Sequence, residues 1–220
     1  MISRRGADVG SGFQAAVNAT NEAYARLGRA YITRKAVPGK YLRRQTQLLV
    51  DLPEQDEGRL SSEELRRLLA SQQGQSRVFV PESKAEPDYG GAVAPEGRAI
   101  FYDAKSTRRE RLDLDNLHPH QIHFLEQMAK NGAIAGFLVE FTRYQQVFFL
   151  PIQLAVRYIS LTGYRSIPYN FFKSKLVAVQ HGTGYLIFDY LAAIKEQELA
   201  YGRDYAALDL SAERIKQAKS

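Results

Sequence analysis

The sequence predicts an α/β fold: a mixed central β-sheet flanked by helices, with a protruding stalk-like insertion. Three observations lead there. Helix-like and strand-like patterns follow one another in the order helix, several strands, helix, two strands, helices. The runs "AIAGFLVEF" (residues 133–141) and "QVFFLP" (146–151) are apolar enough for central strands. The length of 220 residues, 45% of them hydrophobic, suffices for one domain with a real core. The reading is therefore one domain over residues 1–220, with the insertion at 54–84.

Taken in order, "SGFQAAVNATNEAYARLG" (11–28) reads as a helix. Ser11 stands at the cap position, and Phe13, Val17, Thr20, Tyr24 and Leu27 recur at three- and four-residue steps. Gly28 is a natural stop. "RAYITRK" and "RRQTQLLVD" are β-like, with a Pro-Gly turn in "AVPGK" between them. The polar stretch 53–76 holds one short helix, in which Ser61 and Glu64 fit a capping box. It reads as a protruding insertion or as a disordered loop. The β pattern resumes at "SRVFVP". "PDYGG" reads as a turn-rich segment in which Gly90 and Gly91 let the chain bend sharply, and "RAIFYDAKS" as the strand that follows. A helix then starts with His118 as cap and Pro119 at its first position, and ends at Asn131-Gly132. Residues 151–162 and 186–200 read as helices, and the charged tail from Ser211 as a fraying end.

Composition narrows the function. With no cysteine in the chain, disulfides, thiol catalysis and cysteine-ligated metal sites are excluded. No apolar run is long enough to span a bilayer, and "MISRRGADVGSGF" lacks a signal-peptide core, so a cytoplasmic protein without membrane contact is expected. The net charge is +6 and the pI about 9.4. Residues 1–50 carry nine Lys/Arg against two Asp/Glu, a surplus of seven, so the remaining residues net −1. Such a basic segment favours polyanions, nucleic acid above all.

The candidate chemistry lies in "PDYGGAVAPEGRAIFYDAKST" (87–107). On a strand, Phe101, Asp103 and Lys105 point one way and Ile100, Tyr102 and Ala104 the other. Asp103 and Lys105 then stand roughly 7 Å apart at the backbone, a gap that the lysine stem closes. Asp88 comes from the preceding segment. Phosphodiester hydrolysis needs an activated water and a stabilised leaving oxygen. Mg²⁺ provides both, and it takes one or two protein carboxylates plus waters and phosphate oxygens. A neighbouring ammonium can hold the scissile phosphate and orient the water. The same three residues also fit a solvated sheet edge.

The ordered array "PDYGG…AIFYDAKST…NLHPHQIHFLEQM…GAIAGFLVEF…VFFL" resembles the RecU family of Holliday-junction resolvases, within the PD-(D/E)XK restriction-endonuclease-like superfamily. "GFQAAVNATNEAY" and "YITRKAVP" extend the resemblance upstream, and "YRSIPYNFFKSKL" and "FDYLAAI" downstream. The resemblance implies a Mg²⁺-dependent homodimer, Mn²⁺ being a substitute, that acts on four-way branched DNA in recombination and repair, alongside recombination proteins. It implies Asp88 and Asp103 as metal ligands, the latter reading "DAK" where the family has "EAK". It implies Lys105 as catalytic lysine, Gln121 as an active-site glutamine, and residues 54–84 as a stalk of more than the family's usual length. One departure stands out. Where the family's N-terminal helix supplies a metal-binding Glu, this chain has Gln14, a neutral oxygen donor. Glu22 lies eight residues on, about 12 Å along the axis, too far to substitute.

The remaining candidates carry less. "HPHQIH" (118–123) does not have the spacing of a zinc helix, and its histidines read as a cap and polar contacts. Arg108 and Arg109 in "KSTRRER", and Arg34 and Lys35 upstream, are candidate phosphate contacts or simply solvated charges. Phe79, at the end of the insertion, is a candidate wedge into an open junction or simply a packed aromatic. The leading expectation is a Mg²⁺-dependent endonuclease that resolves four-way junctions by paired nicks. The alternative is a non-catalytic or weakly active junction-binding protein on the same fold. A small-molecule enzyme is disfavoured, because no cofactor motif is present.

Overall fold

The computed structural model describes residues 4–35, 39–43, 77–81, 87–113 and 119–214. Its contacts divide the chain into two units, Met1–Ala36 with Ala85–Ser220, and Val37–Lys84. The second unit thus begins earlier than the insertion start read at residue 54. Its described part is an antiparallel ribbon of β2 (Gly39–Arg43) and β3 (Arg77–Pro81), in which the backbone of residue Tyr41 is in register with that of Phe79. The capping-box helix at Ser61 and residues 44–51 of the β-like run 43–51 lie outside the described residues.

The first unit is built on a five-stranded sheet. Its order is β1 (Ala30–Arg34), β4 (Tyr89–Val93), β5 (Arg98–Thr107), β7 (Ile134–Phe141), β8 (Gln146–Pro151). All neighbours pair antiparallel except β5 and β7, which run parallel. A parallel pair needs a crossover, and α2 (Pro119–Lys130) lies within it. The mixed α/β architecture read from the sequence is the one observed.

Each face of the sheet has its own core. On one face, α1 (Arg4–Arg26) and α5 (Tyr190–Tyr201) bury Phe13, Val17, Tyr24, Tyr190 and Ile194 against Tyr89, Ile100, Tyr102, Ala104 and Leu138. On the other, α2, α3 (Ile152–Thr162) and α4 (Tyr169–Lys175) pack Leu125, Leu154, Tyr158 and Phe172 against Phe137, Val139 and Phe141. Phe101 joins this second core, its ring edge-on to Phe124 of α2. The period-two alternation in β5 is therefore realised as read, with the even positions toward α1 and the odd positions toward α2. A small ribbon of β6 (Arg111–Asp113) and β9 (Ser166–Pro168) and a final turn α6 (Ser211–Arg214) complete the unit.

Several elements differ from the sequence reading for identifiable reasons. Helix α1 starts at Arg4, so Ser11 lies inside it rather than at its cap. Gly10 and Gly12 cost a helix interior about 1 kcal/mol each, which makes them look like a boundary, yet the packed stripe from Phe13 onward holds the helix regardless. Gly28, with φ 64°, does end the helix turn. Helix α5 starts at Tyr190, where the Asp189 side chain accepts from the Ala192 amide; residues 181–188 form a bridged turn instead. The tail from Ser211 opens as the helical turn α6 with Glu213 buried. His118 lies outside the described residues. No helix among the described residues is long and apolar enough to cross a membrane.

The clearest correction concerns Gly90 and Gly91. They form no sharp turn but lie within β4, between β1 and β5. The reversal comes later, at residues 94–97. Strand proximity is what demands the missing side chains. A Cβ at Gly91 would run into the Tyr31 carbonyl oxygen and lie 2.7 Å from Ile32 Cα, both backbone atoms of β1. A Cβ at Gly90 would lie 2.7 Å from Lys35 Cε and 3.0 Å from the Phe101 ring. Because the obstruction at 91 is backbone, Gly91→Ala is expected to lower unfolding free energy by about 1–3 kcal/mol, read as a lower urea midpoint with an unchanged m-value.

Candidate metal centre

The β4–β5 register sets Tyr89 opposite Tyr102. One step outward, Asp88 meets Asp103 across the pair, and the Asp88 amide donates to Asp103 Oδ1 at 2.7 Å. By strand alternation both aspartates project to the α2 face while both tyrosines project to the α1 face. Asp103 is wholly buried. Its Oδ2 accepts no hydrogen bond and lies 3.3 Å from Lys105 Nζ, whose side chain is 21% exposed. A buried carboxylate needs charge and hydrogen-bond compensation. Here one oxygen has a backbone amide, and the other has an ionic neighbour but an open lone pair.

Asp88 is half-buried, and its carboxyl is held above the usual range. Burial is the largest cause and the nearby Asp103 charge the second; Lys105 and Arg34 pull the other way but do not win. Two acids brought together in a desolvated place, one with an unmet oxygen, form a donor set that a hard divalent cation satisfies. Mg²⁺ fits it by charge and by donor type.

Gln121 joins the same side of the sheet. It is buried on α2, and its Oε1 has no hydrogen-bond partner, so a second unmet oxygen donor lies on the face that carries the aspartates. Gln14 is half-buried on α1, which packs on the opposite face, and the described contacts include none between it and either aspartate. Lys35 does stand beside the centre: its amide donates to the Asp88 carbonyl at 2.7 Å. Its stem passes over Gly90, and its ammonium rests 4.9 Å from the Phe101 ring and 5.6 Å from that of Phe124. Arg34 is exposed and near enough to Asp88 to favour its charge.

Past Lys105, the strand runs into the arginine segment. Arg108 is exposed, while Arg109 and Arg111 are both bound to Asp113. The β7–β8 turn sits alongside. Thr142 donates its amide to the Thr107 carbonyl, and Arg143 and Tyr144 both reach Glu110. Sequence inspection singled out Arg108 and Arg109 but not this second turn, which only the parallel β5–β7 pairing brings near. His120 is half-buried and His123 exposed on α2, and His181 is exposed in the 181–188 turn. Among the described residues no group of three or more His, Asp or Glu comes together. Phe79 is placed on β3 of the second unit, and its side chain lies outside the description.

The sequence reading also passed over a buried polar network directly behind the aspartates. The Tyr89 and Tyr102 rings stack at 4.9 Å with planes 10° apart. Tyr89 donates to Asn18 Oδ1 at 2.9 Å. Asn21 Nδ2 donates to the Tyr102 hydroxyl at 2.9 Å, Tyr190 donates to Asn21 Oδ1 at 2.6 Å, and the Tyr102 and Tyr190 hydroxyls are 3.1 Å apart. The signal available in sequence was a tyrosine adjoining each aspartate, in "DYGG" and "FYDAK".

Comparison with known proteins places the chain in a family. The sequence profile of the RecU family, Recombination protein U, matches residues 70–196, more than half the chain. That span holds Asp88, Asp103, Lys105 and Gln121, but not α1. The chain is 27% identical over 195 residues to the Holliday junction resolvase RecU of Streptococcus pneumoniae strain Taiwan19F-14, covering 88% of this chain and 86% of the relative. The proteins of that name from strains Hungary19A-6 and serotype 19F G54 match over the same shares at 27% and 26% identity.

The raised pKa of Asp88 has a stability consequence. Its ionised form is disfavoured in the fold relative to the unfolded chain. The penalty is full above the folded-state pKa and absent below the ordinary carboxylate range. Without divalent metal, Asp88→Asn should therefore melt higher than the unsubstituted protein at neutral pH, and the gap should close as pH falls through the carboxylate range. Added Mg²⁺ should raise the melting temperature of the unsubstituted protein more than that of the variant. Scanning fluorimetry across pH, with and without Mg²⁺, reads both effects.

Proposed function

This chain belongs to the RecU family, and we propose that it is an endonuclease that resolves four-way DNA junctions by Mg²⁺-dependent hydrolysis of paired phosphodiesters. The observation that carries the reading is Asp103: a wholly buried carboxylate, bound to the Asp88 amide through one oxygen, with the other oxygen unmet and 3.3 Å from Lys105 Nζ.

In this reading Asp88 and Asp103 hold the cation, Mn²⁺ being able to replace Mg²⁺, and Gln121 offers its unmet oxygen at the same face. When bound, the cation supplies Lewis-acid charge at the phosphate oxygens and acidifies nearby water. Lys105 contacts the scissile phosphate and orients the attacking water, a role suited to an ammonium that is partly exposed yet anchored by a buried carboxylate. Arg34, Lys35, Arg108 and Arg109 contact flanking phosphates. A two-fold dimer presents two such centres to a substrate of the same symmetry, so that nicks come in pairs. Recombination proteins in the cytoplasm are the expected working partners.

A second reading, junction binding with little or no cleavage, is favoured by one observation. The position that resembles the family's metal-binding Glu is Gln14, on the helix packed against the opposite face of the sheet. A labelled four-way junction separates the two. Under the nuclease reading, Mg²⁺ induces paired nicks, and Lys105→Ala lowers the cleavage rate by about a hundredfold or more while junction binding in Ca²⁺ persists. Gln14→Glu should then leave the activity intact or raise it. Tight binding with no scission in either protein, over a range of Mg²⁺ and Mn²⁺, establishes the second reading instead.

A further inference from the structure

Each candidate metal-holding aspartate is joined in the chain to a fully buried tyrosine: Asp88 to Tyr89 and Asp103 to Tyr102. The two tyrosines face the side of the sheet opposite the aspartates and stack on each other. Their hydroxyls are gripped by Asn18 and Asn21, three residues apart on α1 and therefore on one face of that helix. Tyr190 of α5 closes the second grip from behind. The helix is thus bonded once to the strand that carries Asp88 and once to the strand that carries Asp103.

We infer that Asn18 and Asn21 position the metal centre from the opposite face of the sheet, fixing through Tyr89 and Tyr102 the separation of the two carboxylates. The inference rests on the metal reading of the Asp88–Asp103 pair. Its physical basis is short. A side chain and its strand neighbour share one backbone, so a shift or twist at Tyr89 moves Asp88, and one at Tyr102 moves Asp103. Backbone hydrogen bonds alone leave two antiparallel strands some freedom to slide and twist. A stacked ring pair with both hydroxyls bound to one rigid helix removes it. The hydroxyls are suited to the task. Both phenols are buried, so both stay uncharged hydrogen-bonding groups. Mg²⁺ tolerates little departure from octahedral geometry, so a centre built from two strands gains from such a clamp.

The test uses the full chain and Mn²⁺ alone, with no DNA. Free Mn²⁺ is followed by electron paramagnetic resonance during titration of the unsubstituted protein and of Tyr89→Phe, Tyr102→Phe and Asn18→Ala. Each variant is expected to bind Mn²⁺ about tenfold more weakly, and the Tyr89→Phe/Asn18→Ala double variant no more weakly than either single one. In junction cleavage, the Mg²⁺ concentration for half-maximal rate should rise by the same factor, while the rate at saturating Mg²⁺ changes little. Thr162→Val, which removes a buried hydroxyl bond on α3, should melt lower yet bind Mn²⁺ normally. If Tyr102→Phe does not fold, Tyr89→Phe decides, since its hydroxyl bond is only partly buried. Folded phenylalanine variants that bind Mn²⁺ as tightly as the unsubstituted protein overturn the positioning role. If Asp103→Asn also leaves binding unchanged, the metal reading falls and the positioning role falls with it. If Asp103→Asn abolishes binding, the metal reading stands alone.

Discussion

A carboxylate with no solvent exposure, in the middle strand of a sheet, is the constraint around which this molecule is arranged. Asp103 has no exposure to bulk solvent. Its charge must be met by the protein or by something the protein binds. The protein meets it in part, with the Asp88 amide on one oxygen and the Lys105 ammonium near the other. A second carboxylate, that of Asp88, is then brought alongside, which aggravates the electrostatics rather than relieving it. An arrangement selected for stability alone would put an apolar residue at 103. Local strain of this kind, kept in a well-packed surrounding, is how sites are commonly built.

The surrounding is equal to it. α1, β5 and α5 are tied by the Asn21–Tyr102–Tyr190 cluster, and close by Arg29 makes a bidentate pair with Asp189, which also accepts from Tyr24. Each such bond adds about 1 kcal/mol or less when both partners are present, and costs more when one is left alone. Their larger effect is on uniqueness: a slide of α1 along the sheet would orphan several buried hydroxyls and amides at once. The core around Phe141, Phe148 and Phe172 on the other face is mainly aromatic, and Asp103, Lys105 and Gln121 lie on that face.

Much of this was legible in the sequence, and the exceptions have physical causes. The alternation in "AIFYDAKS" gave the face of every β5 residue, because strand period depends on nothing but covalent geometry. The apolar runs that became β7 and β8 were equally plain. Gly90 and Gly91 misled because glycine marks both a bend and a close approach, and only the position of β1 tells which. The glycines near the start of α1 misled in the reverse direction. α4, β6 and β9 are short and owe their form to tertiary contacts, so no local period announces them. The candidates Asp88, Asp103, Lys105 and Gln121 were picked out from residue type and family resemblance, and the fold sets them on one face of the sheet. Gln14 could be picked out only as a departure, and nothing in its spacing revealed which face its helix would cover. The tyrosines were visible as letters but not as a stacked pair, since that depends on register.

The absence of a side chain at Gly90 has a consequence for how this sequence can drift. The Lys35 stem crosses β4 through the space a Cβ there would occupy, and it ends over two aromatic rings. Alanine at position 90 would therefore push the flexible Lys35 stem aside and press on the Phe101 ring, and shortening residue 35 would uncover the rings. A change at one of these positions is thus felt at the other, although they are more than fifty residues apart in the chain.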